Sequence, residues 1–512
     1  MLDRDAGLVL DLAALPACLL WQLFLHQAEC HLVNAQADQA QKCFNRAISA
    51  LDKSELELDE REMEIMKIKL KLKTIKICPK PKSKSQKEKL KVWKKHQKYS
   101  SLSRSVKVEY CREFGRYVTA ASAIKAGEVI GVEDPITFCL KQEHLSTHCL
   151  NCFESVTAGL PCYTCSQVVF CCAQCRRQAT TTFHRFECRQ MHLLQAGANY
   201  LALRAVTSKS LDYFLHNRLD CFTNYDDSSG TELEGNKAYN SLDSRNLFNL
   251  TSKEADIEKR VELYLVASYL LRILQQMGYF GEERRAGNSL NEQEVFIGML
   301  LAHLVSVAES NSQQICQLAG EQASLTSLPR ILASDWQPGE LGFGIHTSLA
   351  LFNHSCRPNT VKLQQDGKWT VLLAAEDIQP GQEICDNYGA LFYTAGRAAR
   401  ATTLGFRCRC PACSQNWPDY TRLSSRGAAA GQGEAAGRAA NSLMRRLVRE
   451  LELSHHSRVI SLCGEYSTAL SRVAPHPHRF YFNHYILVFF CHWAKYGNKE
   501  EGDLNALPAQ PL

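Results

Sequence analysis

The chain has 512 residues, of which 45% are hydrophobic and 22% are charged, and its formal net charge is +6. This length allows several domains, and this composition excludes a wholly disordered chain because ordinary hydrophobic cores can be filled. The 23 cysteines are the unusual feature, and their spacing decides which chemistry they indicate.

The first predicted elements are helices in residues 1–66. The apolar run Leu12–Leu25 is shorter than the about twenty residues that span a bilayer. The chain begins Met1-Leu2-Asp3-Arg4-Asp5, which lacks the cationic start of a secretory signal. We therefore predict a buried helix here, and another at the apolar run Phe480–Trp493.

The next segment is strongly basic. Between Lys67 and Lys98 there are fourteen lysines against one acidic residue, Glu88. Such a run is typical of a segment that binds nucleic acid or acidic histone partners, of a nuclear import signal, and equally of a solvated charged helix and linker. Aromatic residues for base stacking are nearly absent, with Trp93 as the exception, which argues against sequence-specific RNA binding.

Residues that commonly bind metal ions are concentrated between residues 149 and 188. Zinc prefers thiolate and imidazole donors at about 2.0 to 2.3 Å, and one short turn can present two donors to one ion. Eight donors arrive as four pairs, enough for two tetrahedral sites. They are Cys149, Cys152, Cys162, Cys165, Cys171, Cys175, His184 and Cys188.

Spacing alone does not decide which pairs share an ion, because adjacent pairing and interleaved pairing both complete two sites. A disulfide framework is the structural alternative for so many cysteines. Disulfides need an oxidising compartment, and without a secretory signal we expect this chain in the cytoplasm and nucleus.

A helical pattern follows in residues 189–330. Apolar residues recur three or four positions apart in Leu201–Val206 and in Val261–Ala267, which predicts amphipathic helices. Gly230–Asn240 is the predicted loop. We therefore expect a helical layer before the next motif.

The second motif lies around residue 353. Asn353–Cys356, with the sequence Asn-His-Ser-Cys, follows Gly342–Gly344 and precedes Pro380–Ile384 and Tyr388. The order of these short motifs along the chain resembles the carboxyl-terminal half of a SET domain.

Motifs earlier in the chain resemble the amino-terminal half of a SET domain. Gly115–Tyr117 and Ala123–Ile130 are similar to the first SET hairpin and the turn that follows it, and residues 149–188 resemble a MYND zinc finger. A MYND finger between two SET halves is the layout of the SET and MYND domain family of lysine methyltransferases. The resemblance covers Val106–Trp417.

The resemblance implies S-adenosylmethionine as methyl donor and three zinc ions. In the finger it implies interleaved pairing, with Cys149, Cys152, Cys171 and Cys175 on one zinc and Cys162, Cys165, His184 and Cys188 on the other. Cys172 is then a spare thiol beside a ligand. The third zinc, in the post-SET segment, would be held by Cys356, Cys408, Cys410 and Cys413.

The resemblance also implies the active-site residues. Tyr388 would be the catalytic residue, because its hydroxyl would orient the amine. The cofactor would be bound by Gly115, Arg116, Asn311, Asn353, His354, Tyr388 and Phe406. One position departs from the family: Leu404 stands where the family has a tyrosine in the wall of the lysine channel. Tyr393 is a candidate substitute.

The predicted fold class is α+β, a SET-domain β-fold split by a MYND zinc finger and a helical insert, with tetratricopeptide-like helices at both ends. Residues 20–51 resemble one such repeat, which does not stand alone because stacked units share their core. The predicted segments are 1–66 (helical), 67–103 (basic linker), 104–148 (first SET half), 149–188 (finger), 189–330 (helical insert), 331–390 (second SET half), 391–417 (post-SET) and 418–512 (linker and helices).

The sequence thus predicts a protein-lysine N-methyltransferase acting on histone or non-histone lysines, with no membrane partner. The alternative is a catalytically weak adaptor whose finger binds proline-rich or chromatin-regulator partners, and Leu404 supports it. A third hypothesis is a DNA-binding regulator built on the basic segment and the finger. A MYND finger forms a compact protein-binding surface rather than a groove-reading helix, which disfavours the third hypothesis.

Overall fold

The structure is a computed structural model that describes residues 17–77, 91–221, 239–250, 256–281, 289–317 and 339–417, with short gaps inside these ranges, and four single positions beyond them. The described residues form both helices and strands, as predicted. They divide into two compact units, one of Met1–Glu88 with Glu143–Met191 and one of Lys89–Gln142 with His192–Leu512. Among the described helices, none has the length and apolar character that a membrane crossing requires.

The first unit begins with three helices, α1 (Ala17–Val33), α2 (Ala37–Leu51) and α3 (Leu58–Ile77). Helix α2 is amphipathic because its apolar residues recur every three or four positions. Its buried residues are Ala40, Cys43, Phe44, Ala47 and Leu51, which form one core with Trp21, Phe24 and Ala28 of α1 and Ile68 of α3. Helices therefore occur where residues 20–51 predict them, and their tetratricopeptide character stays a prediction.

Helix α3 extends to Ile77, so the predicted basic linker 67–103 begins inside a helix. The lysines at 67, 69 and 71 lie on exposed positions of this helix. The lysines between residues 78 and 90 lie outside the described residues.

The first unit also contains the predicted finger. It has a two-stranded antiparallel pair, β5 (Leu160–Pro161) and β6 (Val169–Phe170), and two short helices, α4 (Ala173–Thr181) and α5 (His184–Glu187). Few large apolar side chains are buried here, namely Leu150, Phe153, Val168, Phe170, Phe183 and Phe186. A module of about 40 residues with so small a core usually needs metal or disulfides to fold.

The second unit holds the remaining strands. They are β1 (Val106–Cys111), β2 (Gly115–Ala120), β3 (Val129–Glu133), β4 (Thr137–Leu140), β7 (Gln313–Gln317), β8 (Gly339–Ile345), β9 (Thr360–Gln365) and β10 (Trp369–Ala374). β1 and β2 form an antiparallel hairpin. The other six form two three-stranded sheets, ordered β3-β10-β9 and β4-β8-β7.

Both three-stranded sheets join the two predicted halves of the SET domain. Val132 on β3 lies opposite Val371 on β10, and Phe138 on β4 lies opposite Gly344 on β8. Segments more than 200 residues apart in sequence therefore share their backbone hydrogen bonds. Gly342 on β8 permits this pairing, because a Cβ there would collide with the Cys139 carbonyl oxygen.

Helices lie between the two halves in sequence. They are α6 (Asn199–Thr207), α7 (Leu211–His216), α8 (Ser244–Phe248), α9 (Ile257–Gln276) and α10 (Glu292–Asn311). Helix α10 begins with a capping box, in which Asn291 and Glu294 accept each other's backbone N–H groups. Helices are thus present at both predicted helical patterns. Of the predicted loop Gly230–Asn240, only residues 239 and 240 are described.

Two short helices end the continuously described chain, α11 (Arg397–Leu404) and α12 (Pro411–Ser414). Helix α11 stops at Gly405, whose φ of 71° is the left-handed conformation that favours glycine. The predicted C-terminal helices in 418–512 fall outside the described residues except for four single positions.

Candidate active site and metal centres

The twelve predicted metal ligands form three groups of four. Within each group the sulfur and nitrogen donor atoms all lie within 4.8 Å of one another. None of the eleven cysteines among them forms a disulfide. The groups are Cys149, Cys152, Cys171 and Cys175; Cys162, Cys165, His184 and Cys188; and Cys356, Cys408, Cys410 and Cys413. The structure therefore brings the finger ligands together in the interleaved order, not as adjacent pairs.

The distances within these groups fit a tetrahedral ion. A zinc with bonds of about 2.3 Å to sulfur places two sulfurs about 3.8 Å apart. The Sγ atoms of Cys171 and Cys175 are 3.5 Å apart, and those of Cys162 and Cys188 are 4.0 Å apart. The donor set and its spacing thus suit Zn²⁺ in closed, four-ligand sites.

Local backbone structure presents the finger ligands. Cys149 lies beside Val169 of β6 and begins a turn in which the Phe153 N–H donates to the Cys149 carbonyl at 2.9 Å. Cys171 follows β6 directly, and Cys175 lies in the first turn of α4. Cys172 is the residue before α4 and does not belong to the four-ligand group.

An arginine that the sequence analysis missed supports the third group. Arg400 of α11 is buried, and its Nη2 donates to Cys413 Sγ at 3.2 Å. Its Nη1 donates to the carbonyl oxygens of Phe392 and Ala395. Four thiolates around one Zn²⁺ carry excess negative charge, so this guanidinium offsets part of it. A single arginine on a short helix gives no sequence signal for this role.

Replacing Arg400 is expected to weaken zinc retention in the post-SET group. For Arg400→Met, loss of the N–H···S contact should lower zinc affinity by about 10- to 100-fold, the usual effect of outer-shell partners. Competition with a chromogenic chelator measures this affinity. Arg400→Lys, which keeps the charge, should fall between Met and the wild type, and equal affinities in all three proteins would contradict the role.

Leu404 lies in a hydrophobic core rather than at an open surface. It is 5% exposed and packs with Phe392, Ala390 and Ala412 around the post-SET cysteines. The side chain at this position therefore helps to hold the zinc segment together. The candidate substitute Tyr393 lies outside the described residues.

The Asn-His-Ser-Cys segment lies directly against the strand-like segment that ends in Tyr388. The Ser355 N–H donates to the Asp386 carbonyl, and the Asp386 N–H donates to the Asn353 carbonyl, both at 2.8 Å. The Tyr388 hydroxyl donates to the Phe352 carbonyl at 2.8 Å. These bonds fix the predicted catalytic tyrosine beside the predicted cofactor residues.

His354 links Tyr388 to the post-SET metal group. Its Nδ1 accepts the Tyr388 N–H at 3.1 Å, so in a neutral ring the proton lies on Nε2. That Nε2 is 3.4 Å from Cys356 Sγ and can donate to it. Burial lowers the pKa of His354 to about 4, which keeps the ring neutral near pH 7.

Two aromatic rings flank His354 and remain open to solvent. The Tyr388 ring centroid is 5.2 Å from that of His354, and the Phe406 centroid is 6.0 Å away. Both Tyr388 and Phe406 are 43% exposed. Burial of its hydroxyl and the nearby Asp386 raise the pKa of Tyr388 above its usual range. Its hydroxyl is therefore neutral and serves as a donor, not as a base.

The other predicted cofactor residues lie on neighbouring elements. The Asn353 side chain donates to Glu383 at 3.1 Å, and Glu383 pairs with Thr119 of β2. Gly115 and Arg116 begin that same strand. The Arg116 guanidinium donates to the Asn249 carbonyl at 2.8 Å.

Asn311 ends helix α10, immediately before β7. Its side-chain amide donates to the Val307 carbonyl of the same helix at 2.9 Å. The structure thus brings Asn353, His354, Tyr388 and Phe406 directly together, whereas the contacts described for Arg116 and Asn311 are with other backbone groups.

A buried carboxylate that the sequence analysis missed holds the turn before this segment. Glu133 of β3 is 1% exposed. It accepts the N–H groups of Ser348 and Leu349 at 2.9 Å and the Thr347 hydroxyl at 3.3 Å. These residues lead into Phe352 and Asn353. A lone acid within a strand gives no sequence signal of such a contact.

Glu133 is expected to make stability depend on pH. Burial raises its pKa to about 7, above the about 4.3 of an exposed glutamate. Its contribution to stability is therefore complete below about pH 4.3 and is lost as the pH rises through about 7, a change on the order of 3 to 4 kcal/mol.

Urea unfolding of the wild type and of Glu133→Gln at about pH 5 and about pH 8 checks this dependence. The free energy of unfolding of the wild type, minus that of the variant, should be smaller at the higher pH. Taking this difference cancels the effect of pH on the zinc ligands. A difference that does not change with pH would contradict the prediction.

Comparison with known proteins agrees with this geometry. The sequence model of the SET domain family matches residues 115–389, more than half of the chain. Protein-lysine N-methyltransferase SMYD4 of Pongo abelii is 24% identical over 383 residues, which cover 62% of this chain and 47% of the relative. SMYD4 of Gallus gallus is 21% identical over 355 residues, 58% of this chain and 48% of the relative.

A shorter alignment has a higher sequence identity. N-lysine methyltransferase SMYD2-B of Danio rerio is 32% identical over 135 residues, 25% of this chain and 31% of the relative. The chain spans about half the length of the two SMYD4 relatives. With the two SET halves paired and MYND-type ligands between them in sequence, the chain belongs to the SET domain family, in its SET and MYND branch.

Proposed function

We propose that this protein is an S-adenosylmethionine-dependent protein-lysine N-methyltransferase that modifies histone or non-histone lysines. One observation supports the proposal above all others. Within a SET fold, the Tyr388 hydroxyl, the Phe352 carbonyl and the His354 ring meet at a surface that two half-exposed aromatic rings flank. This arrangement offers polar groups for an amine and flat apolar faces for a purine.

The residues present fit the proposed cofactor. S-adenosylmethionine, when bound, supplies a methyl group on a positively charged sulfur. Phe406 offers an exposed ring face that suits its adenine, because aromatic faces stack on bases favourably. The Asn353 amide and the polar backbone of His354 suit its charged amino-acid end. Gly115, Arg116 and Asn311 are proposed as further contacts.

The proposed reaction requires a neutral lysine amine in line with the methyl group. A free lysine has a pKa of about 10.4, so on the order of one in a thousand is uncharged at neutral pH. Desolvation and a nearby positive charge both lower that pKa. The neutral Tyr388 hydroxyl and the Phe352 carbonyl then orient the amine, and no strong general base is needed.

Three structural zinc ions are part of the proposal. Each four-ligand group is complete without water, which is typical of structural rather than catalytic zinc. Cys356 belongs to one group and contacts His354, so the zinc held there would help to fix His354 and hence Tyr388.

Methyl transfer by the purified full chain tests the proposal. The protein is incubated with tritium-labelled S-adenosylmethionine and a pool of lysine-containing proteins, and cofactor binding is measured separately by calorimetry. We expect saturable binding and incorporation that mass spectrometry assigns to lysine side chains. Absence of cofactor binding in zinc-loaded protein would overturn the proposal.

A second candidate function is a weakly catalytic adaptor. The supporting observation is Leu404, which provides neither the hydroxyl nor the aromatic face of the family tyrosine and is buried in the post-SET core. The lost cation–π contact is worth about 0.5 to 2 kcal/mol. If the chain binds the cofactor but transfers no tritium to the lysine-containing proteins in the same assay, the result would favour the adaptor function.

The proposed partners follow from the same site and from the finger. The substrate is a protein with an accessible lysine, and the finger is proposed to bind proline-rich or chromatin-regulator partners. A cytoplasmic and nuclear location is proposed because thiolate zinc sites persist where thiols stay reduced. Imaging of the tagged chain checks this location.

A further inference from the structure

A lysine on β9 contacts the segment that ends in Tyr388. The Lys362 Nζ lies 2.7 Å from Asp386 Oδ2, and the Asp386 side chain is only 3% exposed. The same Nζ lies 3.4 Å from the Asn387 carbonyl oxygen. Lys362 therefore reaches the two residues that directly precede the predicted catalytic tyrosine.

The same ammonium group also reaches a second sheet. The Lys362 Nζ donates to the side-chain oxygen Oε1 of Gln313 at 3.3 Å. Gln313 is the first residue of β7 and follows the predicted cofactor residue Asn311 by two positions. The strands β9 and β7 are end strands of two different three-stranded sheets. One side chain thus connects both sheets to the segment that carries Tyr388.

The burial of Asp386 makes a positive partner necessary. An ionised carboxylate is costly to bury unless an opposite charge or several donors lie beside it. The Asp386 main chain is also paired with the Asn-His-Ser-Cys segment, since its N–H donates to the Asn353 carbonyl and its carbonyl accepts the Ser355 N–H. If the Asp386 side chain moved toward solvent, the main chain beside these residues would move with it.

A buried ion pair fixes geometry more than it adds stability. Well-packed apolar residues of similar volume are often as stable as such a pair, because both ions lose their hydration when they are buried. Charged hydrogen-bonding groups nevertheless select one arrangement of their neighbours. Arrangement matters for the proposed reaction, since a misplacement of about 1 Å can slow a reaction about 100-fold. The contact between Lys362 and Asp386 therefore suits a positioning role.

We propose that Lys362 is a positioning residue, which holds Asp386–Tyr388 against β9 and β7 and so fixes the Tyr388 hydroxyl beside the Phe352 carbonyl. It acts through Asp386 and Asn387, and not on the methyl group or the amine. Its effect on methyl transfer rests on the proposed function, whereas its hold on the segment does not. The two parts are therefore tested separately.

Amide hydrogen exchange in the full, zinc-loaded chain tests the hold on the segment. The double variant Lys362→Met/Asp386→Asn removes both charges, so neither is left unpaired in the interior. Exchange in residues 384–390, measured by mass spectrometry, should become faster by about tenfold or more, because the contacts of a charged group are lost. Exchange in α9 should keep its wild-type rate, which shows that the variant is folded.

The matched control removes another partly buried ion pair of the same unit. The Lys368 Nζ lies 2.9 Å from Asp134 Oδ1, and the two side chains are 10% and 24% exposed. Lys368→Met/Asp134→Asn should leave exchange in residues 384–390 unchanged. Wild-type exchange in the first double variant, or equal acceleration in both, would overturn the proposal. Acceleration that is equal in residues 384–390 and in α9 would also overturn it, because the pair would then stabilise the whole unit.

Methyl transfer tests the consequence for the reaction. At saturating tritiated S-adenosylmethionine, the rate of Lys362→Met/Asp386→Asn should fall by about 10- to 100-fold, and cofactor affinity, measured by calorimetry, should fall much less. Lys362→Arg keeps a positive charge beside Asp386 and should stay nearer to the wild-type rate. A wild-type rate in the double variant contradicts the positioning role. Absence of transfer by the wild type would instead refute the proposed function, and the exchange experiment would still decide whether Lys362 holds the segment.

Discussion

Cys171→Ser is expected to lose one of the three proposed zinc ions and to unfold the finger, whereas Cys172→Ser is expected to keep all three. Cys171 belongs to a four-ligand group and its neighbour Cys172 does not. Structural zinc contributes an apparent binding free energy of about 10 to 16 kcal/mol in small fingers. This exceeds what the few buried apolar side chains of the finger can replace.

Zinc per chain, measured by plasma mass spectrometry, and protease resistance of residues 149–188 check this expectation. The two variants differ only in which of two adjacent thiols is removed, so general effects of a lost cysteine are controlled. Equal zinc content in both variants would show that the four-ligand grouping is wrong.

Tyr388→Phe is expected to abolish most of the proposed methyl transfer and to leave cofactor affinity nearly unchanged. The variant keeps the ring beside His354 but loses the hydroxyl that donates to the Phe352 carbonyl at 2.8 Å. Removing one preorganised hydrogen-bonding group from an active site typically lowers kcat by about 100- to 1000-fold. Rates with tritiated cofactor and binding by calorimetry separate the two effects.

The matched control is Tyr110→Phe, which removes the hydroxyl of an exposed tyrosine on β1. It should transfer methyl groups at the wild-type rate. A fall in cofactor affinity equal to the fall in rate would instead assign Tyr388 to cofactor binding. An unchanged rate in Tyr388→Phe would remove it from the reaction.

Several parts of the site could be predicted from the sequence because they depend on local order. The spacing of Cys149 and Cys152, and of Cys408, Cys410 and Cys413, already predicts zinc ligands, since each short turn presents its own donors. The apolar periodicity of residues 201–206 and 261–267 predicts helices that α6 and α9 contain. These features need no knowledge of distant residues.

Other features depend on contacts between distant residues. Glu133 and Arg400 look like ordinary charged residues in a strand and a helix, and each becomes important only through the groups packed around it. The family resemblance implies that Leu404 alters the wall of a lysine channel, and this stays a prediction. The structure shows its side chain in a core with Phe392 and Ala412, which no local pattern indicates.

The sequence by itself determined which residues could bind metal and where several of the described helices form, because residue type and spacing act within one or two turns of the chain. The family resemblance indicated which segments belong to the two SET halves. The structure agrees with the interleaved grouping of the finger ligands that the family resemblance implies. Only the tertiary structure decided that β3 pairs with β10 and β4 with β8, and that His354 connects Cys356 to Tyr388. The physical reason is that these contacts join residues distant in sequence, and burial, hydrogen bonding and donor geometry select them only when the whole chain has packed.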